Sequence, residues 1–209
     1  ISRENEMCKG NQPTDGGNLI LSTDEKEALI AAEPLAEQYI RPFIGAEEFI
    51  NGKPRWCLWF HGVSDVKRNH DLKQMPKVQA RIQAVKAMRE ASSKVATQKK
   101  AATPWLFDEI RQPSDGNFLI IPSVSSESRR FIPIGYLSYE TVVSNLAFIL
   151  PNATLYHFGI LCSTMHNAFM RTVAGRLKSD YRYSNTVVYN NFPFPESCCK
   201  PNDDETACQ

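Results

Sequence analysis

The polar run Ser125-Ser-Glu-Ser-Arg-Arg130 separates two apolar stretches and carries three side chains able to read a base pair. Arginine forks onto guanine O6 and N7, asparagine and glutamine bracket adenine, and a carboxylate accepts from cytosine N4. Glu127, Arg129 and Arg130 on a tip between strands suit that role. The competing arrangement is an ion pair between Glu127 and Arg129 on a solvated turn. A second stretch, Arg176-Leu-Lys-Ser-Asp-Tyr-Arg-Tyr-Ser-Asn-Thr-Val-Val-Tyr-Asn-Asn-Phe-Pro-Phe-Pro195, mixes aromatics, cations and small amides without helix or strand periodicity. Crowded into one loop, such residues suit contact with something flat and anionic. The Phe-Pro-Phe-Pro exit is stiff and cannot enter a sheet interior.

Duplex binding also needs cations for phosphates. The net charge of +1 names no partner, but its distribution does. Residues 66–100 hold ten Lys and Arg against two acids, Asp71 and Glu90, a net of +8. Acid collects instead around residues 24–48 and after residue 195. This segregation suggests one face that meets a polyanion, with Lys77, Arg81 and the cations up to Lys100 on phosphates. A merely solvated helix face is the alternative.

Independent catalysis finds no support. His61, His70, His157 and His166 make neither H-E-x-x-H nor an i, i+4 metal pair. No G-x-S-x-G elbow or phosphate-binding loop is present, and Asp15-Gly-Gly17 reads as a turn. Amino-methyltransferases use Asn/Asp-Pro-Pro-Tyr/Phe, whereas Asn190-Asn191-Phe192-Pro193 has no proline after asparagine. The six cysteines lack C-x-x-C spacing, so no zinc site is expected, and Cys57 and Cys162 read as core thiols. No signal peptide or membrane-length apolar run occurs, which suggests a reduced, cytoplasmic protein. The start on Ile1-Ser-Arg-Glu and the Cys- and acid-rich end suggest a fragment of something larger.

The 209 residues can build one large domain or two small ones around a hydrophobic core. Residues 1–17 read as a lead-in loop, 19–21 and 55–60 as strands, and 23–32 as a helix capped by Ser22 or Thr23. Pro34 opens a short helix through Tyr39. Residues 76–92 predict a helix with Val78, Ile82 and Val85 on one stripe, which Arg89 continues. Residues 92–100 have no apolar period and read as a loop. Residues 107–112 and 118–124 flank Pro113-Ser-Asp-Gly116 as a hairpin, and 131–136 and 146–150 follow as strands. Pro133 demotes its strand to an edge or bulge. Residues 154–175 predict one helix with a core stripe of Leu155, Phe158, Cys162, Met165, Phe169 and Val173. The fold class is mixed α/β (α+β), a largely antiparallel sheet with flanking helices.

Six blocks, in order, resemble the target-recognition domain of MmeI-like (type IIL) restriction–modification enzymes. They are Asp15-Gly-Gly-Asn-Leu-Ile-Leu-Ser22, Tyr39-Ile-Arg-Pro-Phe-Ile-Gly45, Arg55-Trp-Cys-Leu-Trp59, Val124-Ser-Ser-Glu-Ser-Arg-Arg-Phe-Ile-Pro-Ile-Gly135, Asn152-Ala-Thr-Leu-Tyr-His-Phe-Gly-Ile-Leu161 and residues 175–195. In that family one polypeptide carries a nuclease, an adenine-N6 methyltransferase using S-adenosylmethionine, and this recognition domain. The resemblance implies a recognition domain over residues 1–195, with double-stranded DNA and a covalently linked methyltransferase domain as partners. Cofactors, S-adenosylmethionine and Mg for cleavage, would belong to the parent and not to this fragment, which would have no catalytic or metal residues.

The family reads target bases at the Ser-Ser-Glu-x-Arg tip, which here places Glu127 and Arg129 in that role with Phe131 beside them. It also implies that Lys94, Gln98, Lys99 and Lys100 face the DNA backbone. Lys178 and Arg182 would do the same, with Tyr181 and Tyr183 near the target adenine, which must leave the stack to be methylated. After Pro195 the family continues into a helix. Glu196-Ser-Cys-Cys-Lys-Pro-Asn-Asp-Asp departs from that, and residues 196–209 are expected to begin a C-terminal segment or tail, with any helix starting near Asp204.

Two other classes compete with sequence-specific duplex recognition. A nonspecific single-strand or RNA binder would use Tyr181, Tyr183 and Phe192 as stacking platforms. A protein-interaction module would dock on a methyltransferase, with its basic face incidental.

Overall fold

The structure is a computed structural model and describes residues 6–195. Expectations for the 196–209 tail, including its cysteines and the helix near Asp204, lie outside the described residues.

β1 (Cys8–Lys9) and β2 (Ile20–Leu21) precede α1 (Thr23–Ala32). Ser22 Oγ accepts from the Glu25 amide at 3.1 Å, while Glu25 Oε2 accepts from the Ser22 amide at 2.9 Å. The Ser22 and Glu25 amides, two donors at the helix start, are thereby satisfied. That backbone contact, ahead of the nearby Arg81, holds the Glu25 carboxyl below its ordinary range despite some desolvation. A 3-10 turn (Pro34–Tyr39) leads to β3 (Ile40–Ile44), α2 (Ala46–Asn51) and β4 (Trp56–Leu58). Then come α3 (Asp65–Leu72), α4 (Pro76–Glu90) and α5 (Val95–Lys99).

α4 buries Val78, Ile82, Val85 and Arg89 along one stripe. It starts on Pro76 with no side-chain cap from its own N-cap residue, Met75. The buried Glu33 supplies one from 44 residues away, accepting from the Lys77 and Val78 amides at 2.5 and 3.1 Å. A carboxylate there also opposes the positive end of the helix dipole.

The second half holds β5 (Asn117–Pro122), β6 (Val124–Ser125), β7 (Gly135–Ser138), β8 (Val142–Val143) and β9 (Ala147–Pro151). α6 (Leu155–Leu161), α7 (Thr164–Val173), β10 (Gly175–Leu177), β11 (Asp180–Arg182) and a π-helical turn (Asn185–Tyr189) follow. One antiparallel sheet runs β1-β9-β5-β7. Another runs β2-β4-β3-β8, in which β8 joins β3 in parallel. The third, β10-β11-β6, is antiparallel and small. The architecture is therefore mixed α/β with largely antiparallel sheets.

β5 reads Asn-Phe-Leu-Ile-Ile-Pro and is covered on both faces, as its unbroken apolar run requires. Leu119 and Ile121 point into the core beneath α6 and α7, while Phe118 and Ile120 enter a separate cluster with Val143 and Ile149. A third core packs α1, α4 and the β2-β4-β3 strands around Leu19, Leu58, Phe60 and Val78.

Four expectations are corrected. Residues 107–112 do not pair with β5, because β7 and β9 occupy both its edges; Glu109 instead bridges Gln12. Residues 95–99 form α5 and not a loop. The Gln98 amide donates to Ser92 O at 2.8 Å and ties this short helix to the end of α4. The strand expected at 131–136 is displaced to β7, past Pro133. The long helix after Asn152 breaks at Ser163, whose Oγ accepts from the His166 amide and caps α7. The expected stripe is not the buried face: Leu155 and Met165 are exposed, and the two helices bury His157, Leu161, His166, Asn167 and Met170 instead.

Candidate nucleic-acid interface

Residues 126–129 form the tip as a four-residue turn. The Arg129 amide donates to Ser126 O at 3.1 Å, and Ser126 Oγ accepts from the Ser128 amide at 3.3 Å. Serine closes such a turn because its hydroxyl reaches the amide two residues on. The turn grows out of β6, which pairs with β11, so the tip is mounted on the β10–β11 hairpin. Its downstream end is fixed by the buried Asn167, whose Oδ1 accepts from the Ile132 amide at 3.0 Å.

Glu127, Arg129 and Arg130 are exposed, and Phe131 is half-buried. Glu127 pairs with Arg176, not with Arg129, at 3.3 Å. The Arg130 guanidinium lies 5.1 Å from the Phe131 ring centre. Among the described residues, neither the Arg129 nor the Arg130 side chain has a hydrogen-bonded acceptor or an ion-pair partner. Two guanidinium forks thus remain available to an outside acceptor. Lys178 and Arg182 are exposed on the same hairpin, and Lys178 takes a left-handed backbone (φ 56°) at its turn.

Tyr181 and Tyr183 are corrected. They lie on the inward face of β11 and the chain after it, because side chains alternate along a strand and Arg182 between them points out. Tyr181 is 8% exposed and Tyr183 is 3% exposed. Tyr183 packs against Phe148 and His166. Neither ring offers a face to a flipped base. Phe192 is 4% exposed and meets His166 edge-on, so the three supposed stacking platforms are core.

The basic run divides in the same way. Arg89 is fully buried, and Arg68 is buried with its guanidinium on Asp65 and 3.7 Å from the Trp105 ring centre. Arg81 is partly exposed, but its guanidinium is engaged with Asn18 O, Ile20 O and Glu25, which competes with a role on phosphate. Lys100 donates to Asp108 O at 2.7 Å, and the Gln98 amide is engaged with Ser92. Lys77, Lys94 and Lys99 remain exposed and without a side-chain partner among the described residues. They sit on α4 and around α5, over the core shared by α1, α4 and the β2-β4-β3 strands, whereas the tip and hairpin lie over the core beneath α6 and α7.

Two contributors escape sequence reasoning. Arg171 on α7 donates to Arg129 O and Arg130 O, and no spacing marks it out. Arg176 stands within the aromatic and cationic 176–195 stretch, but its pairing with Glu127 depends on the hairpin. Among the described residues, no group of three His, Cys, Asp or Glu is arranged to hold a metal ion, and no helix is long and apolar enough to cross a membrane.

A family model described as MmeI, target recognition domain, matches residues 1–196. This chain belongs to that family. DNA methyltransferase A of Bacillus subtilis (strain 168) is 42% identical over 187 residues, spanning 90% of this chain and 21% of that protein. The solved structure of the type IIL restriction-modification enzyme MmeI in complex with DNA superposes with a TM-score of 0.87 at 45% identity. The match covers 92% of this chain and 25% of that one. The recognition domain thus spans about a fifth to a quarter of these relatives.

Behind the tip, the recognition domain buries a titratable ring. His166 Nδ1 lies 3.0 Å from Leu161 O and must carry the proton, so Nε2 accepts from the Tyr183 hydroxyl at 3.2 Å. Burial pulls the imidazole pKa from 6.5 to about 4, against the opposing Leu161 contact. The fold keeps the ring neutral while the unfolded chain protonates near 6.5, so stability is full above that pH and falls towards pH 4. Lowering the pH from 7 to 5 is expected to remove about 2 kcal/mol through this group. Denaturant unfolding at both pH values checks it. A His166→Gln variant with an equally steep pH dependence would assign the loss elsewhere.

Proposed function

We propose that this domain recognises a specific sequence in double-stranded DNA and presents a target adenine to a methyltransferase domain of the same polypeptide. The observation that carries the reading is the pair of exposed guanidinium forks of Arg129 and Arg130, neither with a hydrogen-bonded acceptor or ion-pair partner among the described residues, on an anchored turn in a chain of the target-recognition family. Arginine is the side chain best shaped to read guanine in the major groove. Lys77, Lys94, Lys99, Lys178 and Arg182 are exposed cations suited to phosphates, which set register without carrying sequence. Glu127 would accept from a cytosine amine, and Phe131 would make apolar contact at the edge of the tip.

Methyl transfer to adenine N6, and any cleavage, belong to parts of the parent outside this chain. S-adenosylmethionine would supply the methyl group there, and Mg would serve cleavage. On this reading S-adenosylmethionine is held by the parent's methyltransferase part and not by this chain. The Asn191 amide, in the segment nearest to an amine-gripping motif, is spent on Thr186 O and Val187 O. The reading places the protein in the bacterial cytoplasm.

Mapping methylated adenines in the source genome, with and without the parent gene, tests it. Loss of one methylated motif on deletion is the expected result. An unchanged methylome, with the gene expressed, would overturn adenine recognition and favour a protein-interaction module.

A further inference from the structure

We infer that Arg171 is the positioning residue of the reading tip, and that Arg176 holds its carboxylate; this rests on the DNA-recognition reading above. Base readout needs a guanidinium held within a fraction of an ångström and a narrow angle. A solvent-exposed four-residue turn does not supply that alone. The tip's internal contacts, Arg129 to Ser126 and Ser128 to Ser126, are short-range, and its two anchors, the β6–β11 pairing and the Asn167 bond to Ile132, leave the carbonyls of Arg129 and Arg130 unheld.

Arg171 supplies the missing constraint from 42 residues away. Its Nη2 donates to Arg129 O at 2.6 Å and to Arg130 O at 3.1 Å. These two carbonyls belong to the two candidate readers, so one fork fixes the backbone from which both side chains depart. The fork is itself oriented. Its centre lies 5.1 Å from the Tyr181 ring centre, and Nη1 donates to the Tyr181 hydroxyl at 3.4 Å. Arg176 stacks on the same ring at 3.9 Å and donates to Ser179 O at 2.6 Å and Glu127 Oε2 at 3.3 Å. Buried Tyr181 is thus a shared platform for one arginine holding the tip's main chain and another holding its acid.

Two consequences follow from this arrangement. Base preference depends on α7 and the β10–β11 hairpin as well as on the tip, so a tip transplanted without Arg171 and Arg176 loses its aim. Glu127 also meets a base while still paired to Arg176, which orients the carboxylate and limits the acceptor geometry it can offer.

The test uses the full-length protein that contains this domain. Wild type, Arg171→Met, Arg171→Lys and Arg176→Met are measured against a duplex library randomised at each position of the mapped site, and against one scrambled duplex. Thermal midpoints are recorded alongside. Arg171→Met is expected to flatten preference at the tip-read positions by about tenfold, as loss of one aligned bidentate contact would. Its affinity for the scrambled duplex should stay within about threefold, since no phosphate contact is removed. Arg171→Lys keeps the charge but lacks the planar fork, so it should flatten preference too while scrambled affinity is unchanged. If the methionine variant does not fold, the lysine variant decides. Arg176→Met should alter preference only where Glu127 reads.

Unchanged preference in both Arg171 variants overturns the positioning role. So does an equal loss on cognate and scrambled duplexes, which would make Arg171 a phosphate contact. A wild type without sequence preference overturns the DNA-recognition reading itself, whereas a selective wild type with unaltered variants sinks only this inference.

Discussion

Arg89→Met is expected to cost at least about 4 kcal/mol of folding stability, among the largest single-residue losses in this chain. The Arg89 side chain is fully buried at the end of α4. It donates to Pro13 O, Thr14 O, Lys100 O, Thr103 O and Leu106 O at 2.8 to 3.2 Å. No carboxylate among the described residues lies within ion-pairing distance; Asp108 and Asp15 act only from farther away. Desolvation pulls the guanidinium pKa down, but five carbonyl dipoles replace the lost water. Methionine fills the space but removes the guanidinium donor from Pro13 O, Thr14 O and Leu106 O, while Lys100 O and Thr103 O keep only the Thr103 and Leu106 amides. Arg89→Lys should fare little better, because three donors on one point charge cannot serve five acceptors spread around a planar fork. Denaturant midpoints measure the loss. A drop under about 1 kcal/mol would mean that water re-satisfies the carbonyls and that the core beneath α4 does not depend on this junction.

Arg129→Ala in the full-length protein is expected to cost about 1–3 kcal/mol of discrimination at one base pair of the target. Arg129 is exposed and free of acceptors, so its removal should leave stability nearly unchanged. Lys99→Ala should act differently. It should weaken every duplex alike and reduce the slope of log affinity against log salt by about 1. Competition binding across single-base site variants at two or more salt concentrations separates the two effects. Equal losses on all sequences from both changes would sink the division between a reading tip and a phosphate-holding helix.

Much of the fold was legible because its signals are local. Ser22 or Thr23 announced the cap of α1, and the structure selects Ser22, with Glu25 completing a capping box. The stripe Val78, Ile82, Val85 and Arg89 announced α4, and all four are buried. Arg55-Trp-Cys-Leu-Trp-Phe60 announced a buried strand, found as β4. The failures share a different character. Residues 107–112 have strand chemistry and a turn after them, but β7 and β9 take both edges of β5. α5 has no amphipathic period, since its order comes from Ser92 and from packing on α4. The cap at Ser163 was visible as a residue type, but the apolar steps across it matched a continuous helix.

Local signals in the sequence were enough for the family, for the order of most elements and for a polar turn at residues 126–129, where base reading is proposed. Caps, turns and periodicity are short-range properties, and six ordered blocks constrain a family more tightly than any single motif. Which polar side chains face outward was settled by long-range packing. The ten cations of residues 66–100 look alike in sequence, but Arg68, Arg81 and Arg89 engage acids and carbonyls, while Lys77, Lys94 and Lys99 stay free. Tyr181 and Tyr183 look like stacking faces until strand alternation and the packing of α7 close over them. A buried polar group is tolerated only where distant residues bring it partners, and those partners exist only once the chain has folded.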